Sequence, residues 1–449
     1  MRAAALSRVG LLVLALTSTV HCGPSAPELA HGLSDRTLAR LVQAPPVYAP
    51  ASAAPGTETA ATTAAFEGAL EPQARVRVRH DPALDLAAAA LAENFSDQGR
   101  RTSDALAQWL LWKSGSVSLY RGHHGGYVSN REVGGRGHVV GRPGAIIQGW
   151  VAKAAEHLNA APGNMVTYGV ARFTEGRVTS EMIVFGTAPF DVAPFSKTYV
   201  PGGPLTLALR PRVPLREIRV SLDVGDAVEQ QTLAPRADGS FFFSRPAPAR
   251  PGRYFLEVEG PPPVRNTLLT LPIYVGVPEP TTPDAFLQSP PPGPTDPAGW
   301  SAWLIRTYDA ERARLGKPPL QVDARLSAMA ADRSLAASGD RRLPPLDSDA
   351  FVAHLTATGF SLPTFVETVT NTSGSDAILL NLLRPSVRRR LLFSDHVLFG
   401  AAAAPRPTAE NQPQSFSVVE ETVIAAEAPS PPAPAPTPPP PPAPPPPPG

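Results

Sequence analysis

Apolar residues return at helical spacing in two stretches of this chain, and at alternating spacing in the stretch between them. In the first, residues 65–190, the pattern predicts helices over 83–91, 103–113 and 146–158. Asp81-Pro82 places proline near the first turn of the leading helix. Trp109 and Trp112 lie three apart on one face of the second, and Ser114-Gly115-Ser116 stops it. Strands at 165–173 and 179–185, with a turn at Glu175-Gly176, make a hairpin.

Residues 191–278 change character. Strand-sized runs at 205–209, 217–223, 230–233, 239–243, 252–259 and 266–277 are separated by Pro, Gly and Asp turns, which predicts a small β-sandwich. Tyr254, Leu256 and Val258 alternate with Arg253, Glu257 and Glu259, as in a strand with one dry and one wet face. Phe255 is the exception on the polar side.

From 298 to 424 the helical period returns. A helix over 300–314 carries Trp303, Leu304, Tyr308 and Ala310 along one stripe, and one over 323–337 turns Leu326, Met329, Ala330 and Leu335 inward. A third spans 346–358, closed by Gly359, and a fourth spans 377–392, interrupted at Arg384-Pro385. Strands are predicted at 396–402 and 416–424. The fold class is α+β: two mixed bodies separated by a small all-β sandwich, with disordered proline-rich ends.

Composition sharpens the boundaries. Fifty-six of 449 residues are proline, clustered between segments and at the end. Residues 22–64 read as a flexible tether, because Ala, Ser, Thr and Gly bury too little surface to offset the entropy of ordering. Residues 279–297 form a proline-rich linker. The tail, 425–449, is polyproline II by default, a stiff exposed rod.

Arg2, Arg8 and the apolar run 9–16 read as a signal peptide over 1–21, too short for a permanent span. Cys22, the single cysteine, sits directly behind it, where a bacterial exported protein is lipidated; His21 stands where a small residue is usual. The alternative is a soluble secreted protein cleaved nearby. Acylation at Cys22 supplies the two-signal anchoring that one chain lacks. With one cysteine no internal disulfide forms. A net charge of +1, from 40 basic and 39 acidic residues, excludes a nucleic-acid partner.

The two mixed bodies share an order. Each opens a helix with Asp-x-x-Leu, Asp81-Pro82-Ala83-Leu84 and Asp323-Ala324-Arg325-Leu326, and follows with Ala-rich turns, a helix ending near glycine, a late helix and a Val/Gly strand. The stretch from Tyr308 through Gly316-Lys317-Pro318-Pro319-Leu320 to Asp323 resembles the opening helix, glycine turn and Pro-Pro-Leu link of the CAP superfamily (cysteine-rich secretory protein, antigen 5, pathogenesis-related group 1). Phe365-Val366-Glu367-Thr368-Val369 resembles that family's Gly-Glu-Asn strand, and Arg384-Pro385-Ser386-Val387 to Leu392 its Ser-Pro-Gly-His helix. The resemblance covers about 300–424. A fainter copy lies in 65–190, where Val166–Phe185 looks like the family's last strands and the opening helix is unclear. The resemblance implies an α-β-α sandwich for each body.

It also implies a cleft with two histidines and two acids, a donor set that suits a divalent metal. Val387 stands where the late-helix histidine belongs. Arg341, Arg342, Leu343 and Pro344 stand where the earlier one is expected, and only Glu367 matches an acidic position. His354 and His396 fall elsewhere and read as surface residues. The first body is richer in histidine: His80, His123, His124, His138 and His157. His123-His124-Gly125-Gly126 reads as a flexible polar patch whose adjacent imidazoles point to opposite sides. His123, His138 and His157, with Glu132 or Glu156, are the candidate metal ligands. Arg388-Arg389-Arg390 reads as a solvated helix face, or as a contact for anionic envelope polymer or lipid heads.

The first reading is therefore a non-catalytic binding or structural protein without a cofactor, facing the periplasm or cell surface from the outer or inner membrane through Cys22, with an envelope lipid or protein as partner. One alternative is a metal-assisted hydrolase of peptide or wall material, which requires His123, His138 and His157 to converge. Another is a carrier with an apolar pocket near Glu367.

Overall fold

The structure, a computed structural model, describes residues 33–49, 57–98, 103–129, 143–160, 165–175, 178–261, 266–283, 286, 293–339, 348–361, 365–372, 374–407 and 415–424. The signal segment, Cys22, the proline tail, Glu132 and His138 lie outside them.

The first body holds α1 (Asp35–Val42), β1 (Val47–Tyr48), α2 (Thr57–Ala69), α3 (Pro72–Arg75), β2 (Val78–His80), α4 (Pro82–Gln98), α5 (Asp104–Lys113), β3 (Leu119–Ser129), α6 (Pro143–Ala160), β4 (Val166–Glu175) and β5 (Val178–Thr187). The middle region holds β6 (Phe190–Val192), β7 (Phe195–Ser196), β8 (Thr198–Tyr199), β9 (Pro204–Pro211), β10 (Ile218–Asp223), β11 (Val228–Leu233), β12 (Phe241–Pro246), β13 (Gly252–Glu259) and β14 (Thr267–Val275). The last body holds α7 (Pro297–Arg314), β15 (Gln321–Val322), α8 (Ala324–Ser338), α9 (Asp349–Ala357), β16 (Phe365–Thr372), α10 (Asp376–Leu382), α11 (Pro385–Arg388), a π turn (Arg389–Phe393), β17 (Val397–Arg406) and β18 (Ser415–Ile424).

The two mixed bodies have one topology. Their sheets run β2-β4-β5-β3 and β15-β17-β18-β16. In each, a short strand lies parallel to the first hairpin strand, and the remaining pairs are antiparallel. The local reasons repeat as well. Asp81 and Asp323 cap the crossing helix, Oδ1 accepting from Ala83 N–H at 3.0 Å and Arg325 N–H at 2.8 Å. Their own N–H groups donate to the carbonyls of Tyr168 (2.8 Å) and Phe399 (2.9 Å). The next strand residues are Gly169 and Gly400, where a Cβ would overlap the backbone of Leu84 or Leu326; only glycine lets the helix ride this close.

Fifteen residues before each capping aspartate an aromatic ring packs on the strand. Phe66 meets Tyr168 at 4.8 Å and Tyr308 meets Phe399 at 5.7 Å between centroids. The hydroxyl changes sides between the copies: Tyr168 Oη donates to Glu67 Oε1 at 2.7 Å, and Tyr308 Oη to Glu420 Oε2 at 2.6 Å. The second helices start on Ser103 and Ser348 and end at Gly115 and Gly359, both in the left-handed region with φ of 85° and 84°.

The first sheet is covered on both faces. Ala171, Phe173, Met182 and Val184 pack in one cluster with α4 and α5; Tyr168, Val170, Ile183 and Phe185 pack in another with α2 and α6. The opening helix that the apolar pattern left unclear is α2. Its Ala/Thr-rich sequence carries little periodic signal, and Phe66 is its buried anchor. The expected boundary at 65 therefore cuts a helix that starts at Thr57.

The middle region is two sheets, β11-β10-β13-β14-β8 and β12-β9-β6, sharing one core that includes Leu207, Leu209, Phe243, Val220, Leu256 and Ile273. The outward side of β13 is not wet, which corrects the half-buried reading of 252–259. Phe255 packs on Trp112 and Phe286 at 5.8 and 6.3 Å, and Trp112 Nε1–H donates to the Thr270 carbonyl at 2.8 Å. Glu257 meets the last body through Arg384.

Both expected connectors are also corrected. Within the tether, α1 is capped by Ser34, Leu41 is buried, and Tyr48 Oη donates to the Pro272 carbonyl at 2.8 Å. Within the linker, Glu279 pairs with Lys113 (3.1 Å) and Lys197 (3.2 Å), and Phe286 is buried. The three regions thus pack against each other through residues expected to belong to flexible connectors.

Candidate functional site

In the last body, β16 carries Glu367 opposite Glu421 of β18. Arg333 of α8 reaches across, its Nε paired with Glu367 Oε2 and a terminal nitrogen 2.8 Å from Oε1. This is the bidentate fork geometry. Glu421 is buried beside that pair; burial, then the Glu367 charge, pushes its carboxyl well up. Tyr308 donates to Glu420, whose carboxyl burial raises to about 7. Sequence reading singles out Glu367 but not Arg333, Glu420 or Glu421. The Glu420-Glu421 dipeptide inside an apolar strand was the signal. Val387 is buried, while His354 and His396 are exposed on α9 and before β17.

In the first body, the histidines expected on a flexible patch stand on the strand β3. Its register places His123 opposite Val184, as Glu367 is opposite Glu421. Val184 lies opposite Gly169 as Glu421 lies opposite Gly400, so His123 occupies the place of Glu367. His123 Nδ1 is 2.5 Å from Tyr120 Oη, which donates to Asp104 Oδ1 at 3.2 Å. His124 points to the other face, where its ring and that of His157 pack on Phe185 at 6.1 and 5.2 Å. Burial lowers the His157 imidazole. Glu156 is tied to Lys153 at 2.7 Å, which holds its carboxyl down. The sheet thus separates His123 from His157. Among the described residues no three His, Cys, Asp or Glu side chains gather as a metal would need.

The arginine run is not a solvated face. Arg388 Nε lies 3.0 Å from Asp223, and Arg390 is buried, its guanidinium lowered to about 10 by burial and by Arg384. Just ahead of the run, Arg384 Nε sits 3.1 Å from Glu257 Oε1, and Ser386 N–H donates to Oε2 at 2.7 Å. Burial alone would raise Glu257; Arg384, Thr267 and Ser386 hold it low instead. The run faces the sandwich because the outward side of its sheet supplies Asp223, Glu257 and Glu259.

A cavity of about 220 Å³ opens where the first body meets the sandwich. Asp81, Ser116 and Ser118 line one part, Arg79 and Arg212 another. Ser116 Oγ donates to Asp81 Oδ2 at 3.0 Å, and burial raises the Asp81 carboxyl. Arg212 bonds Asp191 Oδ1 at 2.8 Å, and Arg79 approaches the same oxygen at 3.6 Å. His80, also on the wall, holds Asp85 at 2.9 Å; burial would lower this imidazole, but the carboxylate overrides it and the net shift is upward. The cavity lies at the junction of the first body and the sandwich, whereas the expected apolar pocket was near Glu367.

Comparison of the chain with family models, with curated proteins and with solved structures returns no match.

Proposed function

We propose that this is an exported, lipid-anchored and non-catalytic protein, in which two CAP-like bodies flank a β-sandwich and serve a binding or structural role at the bacterial envelope. The observation that carries the reading is the state of Glu367. It is the one carboxylate at the cleft position that the CAP resemblance marks, and Arg333 engages both of its oxygens. A carboxylate whose two oxygens are both taken by a guanidinium fork, with its side chain 5% exposed, is not presented to a substrate.

The CAP-like reading is supported by the shared sheet order and by helices on both faces of the first sheet. A structural role is supported by the joints: buried charge pairs at Glu257 and Glu279 hold the three regions together. Anchoring rests on Cys22 behind its apolar run.

Two measurements test the proposal. Purified protein is sedimented with peptidoglycan sacculi and with phospholipid vesicles, beside the Glu367→Gln variant. Co-sedimentation that is equal for both proteins supports a binding role. Turnover of wall or peptide substrate that disappears in Glu367→Gln overturns it. For the anchor, Cys22→Ser is expected to move the protein out of the membrane fraction, and the N-terminal peptide is expected to lose its acyl mass.

A further inference from the structure

The two α+β bodies serve as controls for one another, and they differ at the cavity. In the last body, the residue two after the capping aspartate is Arg325. Its guanidinium bonds both oxygens of Asp323, donates to the Thr358 carbonyl at 2.9 Å and stacks over the Phe360 ring at 4.3 Å. The corner is filled by Arg325 and Phe360. In the first body the matching residues are Ala83 and Ser116. The match is fixed by shared hydrogen bonds: Ser116 N–H to the Leu111 carbonyl (3.0 Å) and Phe360 N–H to the Leu355 carbonyl (3.1 Å). Two long side chains have become short ones, and both short ones line the cavity.

The sandwich closes the opening without filling it. It brings Arg212, which joins Arg79 on the Asp191 carboxylate; the Asp81 carboxyl lies on the same cavity wall. Arg212 Nε is buried and has no hydrogen-bond partner among the described residues. A buried guanidinium N–H without an acceptor costs free energy that an incoming oxygen relieves. The other part of the wall offers the Ser116 and Ser118 hydroxyls around Asp81, a carboxyl that can accept from ligand hydroxyls. Pockets at domain junctions with a few convergent polar groups are the usual ligand sites.

We propose that this cavity binds a small hydroxylated acid, of the size of one sugar unit, with its oxyanion on Arg212 and Arg79 and its hydroxyls toward Asp81 and Ser116. The site is separate from the Glu367 cleft, so it stands or falls without the reading given above. A carboxylate or a phosphate head meets the same guanidinium chemistry, and the probes distinguish the two.

Titration calorimetry of the full chain with glucuronate, glucose 6-phosphate and glucose tests the assignment. Saturable binding of either anionic sugar, tighter than glucose by about tenfold or more, is expected, and the tighter probe identifies the head group. Ala83→Arg rebuilds the contact that already folds in the last body; it is expected to keep the melting temperature and abolish binding. Arg212→Ala is expected to weaken binding of the anionic probe by about tenfold or more. Absence of saturable binding by both anionic sugars overturns the site, as does binding unchanged in Ala83→Arg. Anionic-sugar binding that is equal to that of glucose, or unchanged in Arg212→Ala, overturns the oxyanion assignment.

Discussion

Arg384 of the last body and Glu257 of the sandwich meet across the joint, Nε to Oε1 at 3.1 Å, with the Glu257 side chain wholly shielded from solvent. Thr267 Oγ1 also donates to Glu257 Oε1, at 2.6 Å, and Ser386 N–H donates to the second oxygen. Removing the carboxylate leaves the Arg384 guanidinium and the Ser386 N–H without their shared acceptor. Glu257→Ala is expected to cost about 3–5 kcal/mol in chemical denaturation. A change under about 1 kcal/mol would mean that the joint does not bear on stability.

Phe286 lies in what composition marks as a linker, yet it is buried between Trp112 and Phe255. Phe286→Ala is expected to cost about 3–5 kcal/mol by the lost transfer energy and the cavity it leaves. A flexible connector would show no change in chemical denaturation.

Gly169 and Gly400 act through close approach. An added methyl at either must displace helix backbone, so Gly169→Ala and Gly400→Ala are each expected to destabilise by about 1–3 kcal/mol or more. Gly149 is the internal control. It is exposed in the interior of α6 with open space around its Cβ position, and Gly149→Ala is expected to stabilise by about 0.5–1 kcal/mol. Thermal melts of the three variants check the contrast.

Glu420 gives the last body a pH dependence. Its folded carboxyl, raised from 4.5 to about 7 by burial, holds a proton that the unfolded chain gives up. The sign follows: the contribution is complete below pH 4.5 and is lost as pH rises through about 7. The loss is on the order of 3 kcal/mol. Glu420→Gln is expected to flatten the fall in denaturant midpoint across that range, and an unaltered slope would assign it to another group.

The apolar rhythm of the chain was enough to read most helices and strands, because 3.6-residue and two-residue periods record which side of an element is dry. It also carried the repeated Asp-x-x-Leu starts, whose helices the structure caps through Asp81 and Asp323. Thr57–Ala69 escaped because alanine and threonine barely mark a face. The polar side of β13 and the arginine run were misread for a shared reason. Each is charged, and charge along one element cannot tell solvent from an opposite charge on another.

Only the tertiary structure decided that. It set Arg384 on Glu257 and Arg333 on Glu367, placed His123 and His157 on opposite faces of one sheet, and left a hollow where Ala83 and Ser116 replace an arginine and a phenylalanine. Periodicity is a property of neighbours in the chain. A site is a property of residues that are distant along it, and their meeting depends on how sheets and helices stack.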